Sequence, residues 1–165
     1  MIKKNTFKRN EALTFCIIFF VTLLLSRINI PFITNYGFMP DYFLALFVSF
    51  VASRFMHMNI YILFLLGLLV DLLAGELIGQ YGLIFISIYF TNFILNKYFI
   101  IKSILMRNSQ YLILTTLGLI ILLISSLSYE LNINININLF IIKWVLTYLV
   151  VLLYNQIIRN FSNET

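Results

Sequence analysis

The chain has 165 residues, of which 62% are hydrophobic and 10% charged, with a net charge of +5 and a mean hydropathy of +1.00. Soluble domains are charged at about a quarter of their positions, so a water-soluble core is excluded, and the length leaves no room for a separate globular domain beside a membrane bundle. The basic excess does not denote a nucleic-acid partner, because the basic residues stand at the ends of apolar segments, where they meet lipid headgroups.

In chain order, Lys3, Lys4, Lys8 and Arg9 precede a first apolar run over residues 12–30. The start resembles a signal peptide, but no small-residue cleavage site follows and Ser26-Arg27-Ile28-Asn29-Ile30 continues the run, so it reads as a retained first helix. Cys16, the single cysteine, lies inside it, which rules out an intramolecular disulfide or a multi-cysteine metal site and leaves a small core residue. Met39-Pro40-Asp41 leads the second run, residues 42–55. Proline fixes the backbone of a first helical turn, and an acid there meets the positive end of the helix dipole. The third and fourth runs, 59–74 and 81–95, are crowded, separated from their neighbours only by Arg54-Phe55-Met56-His57-Met58 and by Gly75-Glu76-Leu77-Ile78-Gly79-Gln80. Several runs fall short of the ~20 residues of a full span, so tight turns or a half-buried hairpin are expected there.

The connection from Lys97 to Arg107 has basic residues at intervals of five among apolar ones, which fits either a short helix lying in the inner interface or an ordinary basic loop. The fifth and sixth runs cover 111–128 and 139–158. Between them Asn132-Ile133-Asn134-Ile135-Asn136-Ile137-Asn138 alternates as a strand would, yet the whole chain is heavy in Asn and Ile, and an outer loop of biased composition accounts for it better than a strand that pairs with a partner. The expectation is an all-α, single-domain bundle of about six transmembrane helices. With the N-terminus inside, Lys3, Lys4, Lys8, Arg9, Arg54, Lys97, Lys102, Arg107 and Arg159, nine of the eleven Lys and Arg, fall on the cytoplasmic side. Only Arg27 and Lys143 fall outside, together with Asp41, Asp71, Glu76 and Glu130. Both termini are therefore expected in the cytoplasm.

No catalytic, cofactor or metal signature is present: there is no phosphate loop, no H-E-x-x-H, no G-x-S-x-G, and the one histidine, His57, stands in a short turn without a neighbouring carboxylate. The informative stretch is Gly67 to Gly82, which holds four of the six glycines. Gly67, Asp71 and Gly75 are spaced to share one helix face, where glycines admit a neighbouring backbone. An acid within an apolar helix is costly without water or a partner, so Asp71 is a candidate functional residue. Its alternative is to reach the headgroups from a few residues inside the helix end. Lys143 could pair with Glu130 or Asp71, though snorkelling explains it as well.

The run Pro40-Asp41-Tyr42-Phe43-Leu44-Ala45-Leu46, then Phe64-Leu65-Leu66-Gly67-Leu68-Leu69-Val70-Asp71-Leu72-Leu73-Ala74-Gly75 and Gly79-Gln80-Tyr81-Gly82-Leu83, resembles the rod shape-determining MreD family over roughly residues 40–95. That family has a proline-led second segment and a central G-L-x-x-D-x-x-x-G…G-x-x-A-L pattern, and Gly82 stands where it usually has alanine. The resemblance implies a non-enzymatic component of the bacterial elongasome in the inner membrane, serving cell shape and lateral peptidoglycan synthesis. It further implies association with MreC, and through it with MreB, RodA and the elongation-specific penicillin-binding transpeptidase, and a fold similar to the substrate-binding membrane subunits of energy-coupling-factor transporters. Carried over to this chain, Gly67, Asp71, Gly75 and Gly79, with Gln80 beside them, would shape a helix turn that opens outward, and Pro40 and Asp41 would set the facing helix.

A rival function is a vitamin-type carrier subunit with an outward pocket near Asp71 and Glu76. A carrier should gather polar and aromatic groups around a cavity. The sequence offers Asp71, Glu76, Gln80, Tyr81 and Glu130, of which only Asp71 is within an apolar run, and the first helix lacks an A-x-x-x-A coupling pattern. An intramembrane enzyme lacks a nucleophile and base pair. The scaffold reading leads.

Overall fold

The computed structural model describes residues 2–27, 39–52, 59–75, 77–98, 104–129 and 137–163. These form six helices, α1 (Ile2–Arg27), α2 (Tyr42–Ala52), α3 (Ile60–Ala74), α4 (Gln80–Tyr98), α5 (Ile104–Tyr129) and α6 (Ile137–Asn163). Each helix overlaps one of the expected apolar runs. The helices extend past the apolar windows at several ends: α1 reaches back through the basic N-terminal residues, and α5 begins at Ile104. Backbone hydrogen bonds need no apolar side chain, so a helix continues beyond the stretch that lipid would cover.

The centre is occupied by the shortest helix. α2 packs against α1, α4, α5 and α6, and from Phe43 to Phe50 every residue is buried. Aromatic faces make much of this contact: the Phe47 ring stacks on Phe85 of α4 at 3.9 Å between centroids, and Phe50 meets Phe15 of α1 edge to face at 4.9 Å. α3 lies at the periphery and packs chiefly on α4, burying only the narrow stripe of Leu63, Gly67, Val70 and Asp71.

The outer helices turn apolar side chains away from the protein. α5 and α6 hold 24-residue apolar stretches, Ile104–Leu127 and Ile137–Asn160, each long enough to cross a hydrocarbon layer. Their outward residues include Ile113, Ile120 and Ile124 on α5 and Val145, Leu149 and Leu153 on α6, all exposed. Tyr61, Leu65 and Leu72 do the same on α3. Contiguous apolar surface of this kind is satisfied by lipid rather than by water.

Some expectations change. Cys16, expected to be a small core residue, is exposed on α1. Of the Lys97–Arg107 connection, open to a short interfacial helix or a basic loop, Lys97 and Tyr98 end α4 and Arg107 lies in the first turn of α5, while 99–103 lie outside the described residues. Lys97 and Arg107 thus sit at the ends of two helices, where cations near a headgroup layer are favourable. Of the alternating Asn-Ile stretch, Ile137 and Asn138 are the first residues of α6, while 132–136 lie outside the described residues. His57, Glu76, Lys102 and Glu130 also lie outside them.

Candidate functional site

A helix of 11 residues rises only about 16 Å, so both ends of α2 stop inside the bundle. The N–H groups of its first turn and the carbonyls of its last have no intrahelical partner, and without water each needs a side chain. At the N-terminal end Asp41 supplies it. Its Oδ1 accepts the Leu44 N–H at 2.9 Å, and its own N–H donates to Thr147 Oγ1 of α6 at 3.1 Å. Thr147 is in turn fixed by donating to the Lys143 carbonyl at 2.7 Å. At the other end Asn92 of α4 donates to the Val51 carbonyl at 3.0 Å, and Gln110 of α5 donates to Asn92 Oδ1. Midway, Ser49 Oγ lies 2.8 Å from the Ala45 carbonyl and 3.1 Å from that of Val151 on α6.

Asp71 does for α4 what Asp41 does for α2. It is fully buried, and its two carboxylate oxygens accept the N–H groups of Gly79 at 2.8 Å, just before α4, and of Tyr81 at 2.9 Å, in its first turn. A carboxylate at this position meets the positive helix end and satisfies two orphan donors at once. Asp71 is thus held inside the protein and does not reach out to the headgroups from the helix end. The chain returns to it because Gly75 (φ +75°) ends α3 in the left-handed region, its N–H donating to the Asp71 carbonyl at 3.0 Å, and Gly79 (φ +95°) reverses the backbone again.

Tyr81 joins the two carboxylates. Its backbone N–H binds Asp71, and its hydroxyl donates to Asp41 Oδ2 at 2.7 Å. One residue therefore ties the α3–α4 turn to the start of α2, and Thr147 extends the tie to α6. Both oxygens of both carboxylates accept a donor, which makes the network a brace between the helices.

The candidate residues do not all play the expected parts. Gly67 is a packing residue: a Cβ there would lie 2.3 Å from the Gly82 Cα, so α3 and α4 touch backbone to backbone. Gly75, expected on the same packing face, is exposed, with no atom within 4 Å of a Cβ built on it, and serves the turn. The face ends at Asp71 because the left-handed turn carries the chain away from it. Pro40 precedes the cap residue Asp41 and so stands before the first turn of α2 rather than within it. Gln80 reaches α5, its Nε2 donating to Ser125 Oγ, while its Oε1 is buried without a partner. Lys143 faces a cavity beside Asp41 rather than Asp71.

That cavity, about 220 Å³, opens where α1 and α3 end and α2 begins, and Ser26, Arg27, Pro40, Asp41, Tyr81 and Lys143 are among its walls. Arg27 closes one side by donating from Nη2 to the Leu73 carbonyl of α3 at 2.6 Å. Sequence reasoning missed Tyr81 as the link, and missed Thr147, Asn92 and Gln110 altogether. The available signal was polar residues facing inward in apolar helices, which the hydrogen-bonding requirement of a buried helix end turns into a prediction.

A family model described as rod shape-determining protein MreD matches residues 8–159. No curated protein and no solved structure matches the chain.

Proposed function

The chain belongs to the MreD family of rod shape-determining proteins, and from that premise we propose that it is a non-enzymatic, multi-pass component of the bacterial inner membrane that assembles with MreC. Through MreC it would join MreB, RodA and the elongation-specific transpeptidase in lateral peptidoglycan synthesis. The observation that carries this reading is the brace from Asp71 through Tyr81 and Asp41 to Thr147. It gives four helices one fixed arrangement, as a scaffold that presents a constant surface requires. Shape determination by such a protein is mechanical in this sense: it holds partners in register and transforms no substrate.

The uneven distribution of charge supports both termini in the cytoplasm, since nine of eleven basic residues then face inside. The carrier reading would place its pocket near Asp71 and Glu76, and Glu76 lies outside the described residues; the cavity beside Asp41, at about 220 Å³, is smaller than the roughly 300 Å³ at which sites for drug-sized ligands begin.

The test is affinity purification of the tagged chain from its native membrane in mild detergent, with mass spectrometry of what is retained. MreC, RodA and the transpeptidase are expected. Recovery of a paired ATPase module without MreC would replace the scaffold with a carrier.

A further inference from the structure

The charge asymmetry of the chain has two exceptions, Arg27 and Lys143, which stand at the end of the bundle opposite the basic ends of α4 and α5. They are 116 positions apart, yet the fold brings them to the walls of one cavity, with Arg27 from the last turn of α1 and Lys143 from the second turn of α6. A cation near the end of an apolar helix is retained at a cost unless something meets it. Among the described residues neither forms an ion pair, and Arg27 uses one of its five N–H donors on the Leu73 carbonyl.

We infer that this cavity is a phosphate site for the headgroup of an anionic lipid. The guanidinium of Arg27 and the ammonium of Lys143 would hold the phosphate from two sides, a pairing suited to a tetrahedral anion. Asp41 shares the cavity, its oxygens each accepting one donor, the Leu44 N–H and the Tyr81 hydroxyl, and against this one carboxylate the two cations leave the named wall residues with a net positive charge. The volume suits a small headgroup. Tails have a place to lie, since Leu24, one turn before Arg27, and Leu72, next to the wall residue Leu73, are exposed apolar side chains at the same end. The inference uses the membrane setting and not the elongation partners, so failure to recover MreC would leave it intact.

Full-length protein in phosphatidylcholine nanodiscs is titrated with phosphatidylglycerol, and separately with inorganic phosphate, following the lipid or phosphate retained in native mass spectrometry. Saturable retention of phosphatidylglycerol is expected, weakened about tenfold by Lys143→Gln and by Arg27→Gln and restored in part by Arg27→Lys. Lys97→Gln, which removes an exposed cation at the other end, should change nothing. Saturation by inorganic phosphate with the same dependence on Lys143 would keep the phosphate chemistry and assign it to a soluble source. Because Arg27→Gln also removes a helix tie, Lys143→Gln is decisive: binding equal to wild type, or equal weakening by Lys97→Gln, overturns the site.

Discussion

Replacing Gly67 by alanine adds one methyl group where two helix backbones meet. The new Cβ would stand 2.3 Å from Gly82 Cα, 2.4 Å from Gly82 N and 2.7 Å from the Tyr81 carbonyl carbon, whereas ordinary contact begins at 3.4 Å. Backbone cannot rotate aside, so α3 and α4 must part by about 1 Å, and overpacking of this kind costs about 1–3 kcal/mol. The displacement also acts on the bonds from Asp71 to Gly79 and Tyr81, now 2.8 and 2.9 Å, and carries them beyond the ~3.2 Å limit of a good hydrogen bond. A weakened bond to a charged group adds about 1.5–3 kcal/mol, so a total near 3 kcal/mol or more is expected. On the scale of globular chains of this length the Tm would fall by about 6–12 °C. The control is Gly118→Ala, whose Cβ meets a flexible side-chain end, Leu44 Cδ1 at 2.4 Å, and should cost about 1 kcal/mol. Thermal unfolding of both variants in the same mild detergent, followed by Trp144 fluorescence, makes the comparison. Equal stability of the two would refute the backbone contact and the strain it places on Asp71.

Asp71→Leu leaves a buried and a part-buried N–H group without an acceptor, while Asp71→Asn keeps one oxygen; Tm and shape complementation should both rank wild type, Asn, Leu, and identical behaviour of the two variants would return Asp71 to a passive place. Tyr81→Phe frees Asp41 Oδ2 without disturbing the turn and should cost about 1–3 kcal/mol in thermal unfolding, with no loss if the hydroxyl contact is incidental. Gly75→Ala meets no atom but must adopt φ +75°, so a loss of about 1–2 kcal/mol is expected with MreC recovery in co-purification unchanged; selective loss of MreC would place Gly75 in a partner surface instead. Asn92→Leu removes the donor for the Val51 carbonyl and should loosen the far end of α2, read as faster hydrogen exchange in residues 48–52.

The helices were legible because apolar runs in this chain are long and sharply bounded, and the cap at Asp41 was legible because a proline and an acid before an apolar run have a local physical meaning. Asp71 stood out as an acid in an apolar helix, but its partners did not. They are backbone amides eight and ten residues further on, and only the two left-handed glycines bring them back. Tyr81 was hidden for a different reason: it is one of ten tyrosines in a chain of mostly apolar residues, and nothing local separates the one whose hydroxyl is used. Gly67 and Gly75 have the same residue type and suitable spacing, yet one lies under a neighbouring backbone and the other ends the helix. Spacing describes an ideal helix and cannot see where that helix stops.

The enclosure of α2 also sets the order in which the molecule can be completed. An 11-residue helix cannot cross the bilayer alone, and the Thr147 and Val151 contacts that hold it belong to α6, about a hundred residues later in synthesis. The central element is therefore among the first made and the last secured. Until α6 arrives, Asp41 and Ser49 lack their α6 partners, so a nascent or truncated chain without α6 differs from the finished one in unsatisfied polar groups as well as length.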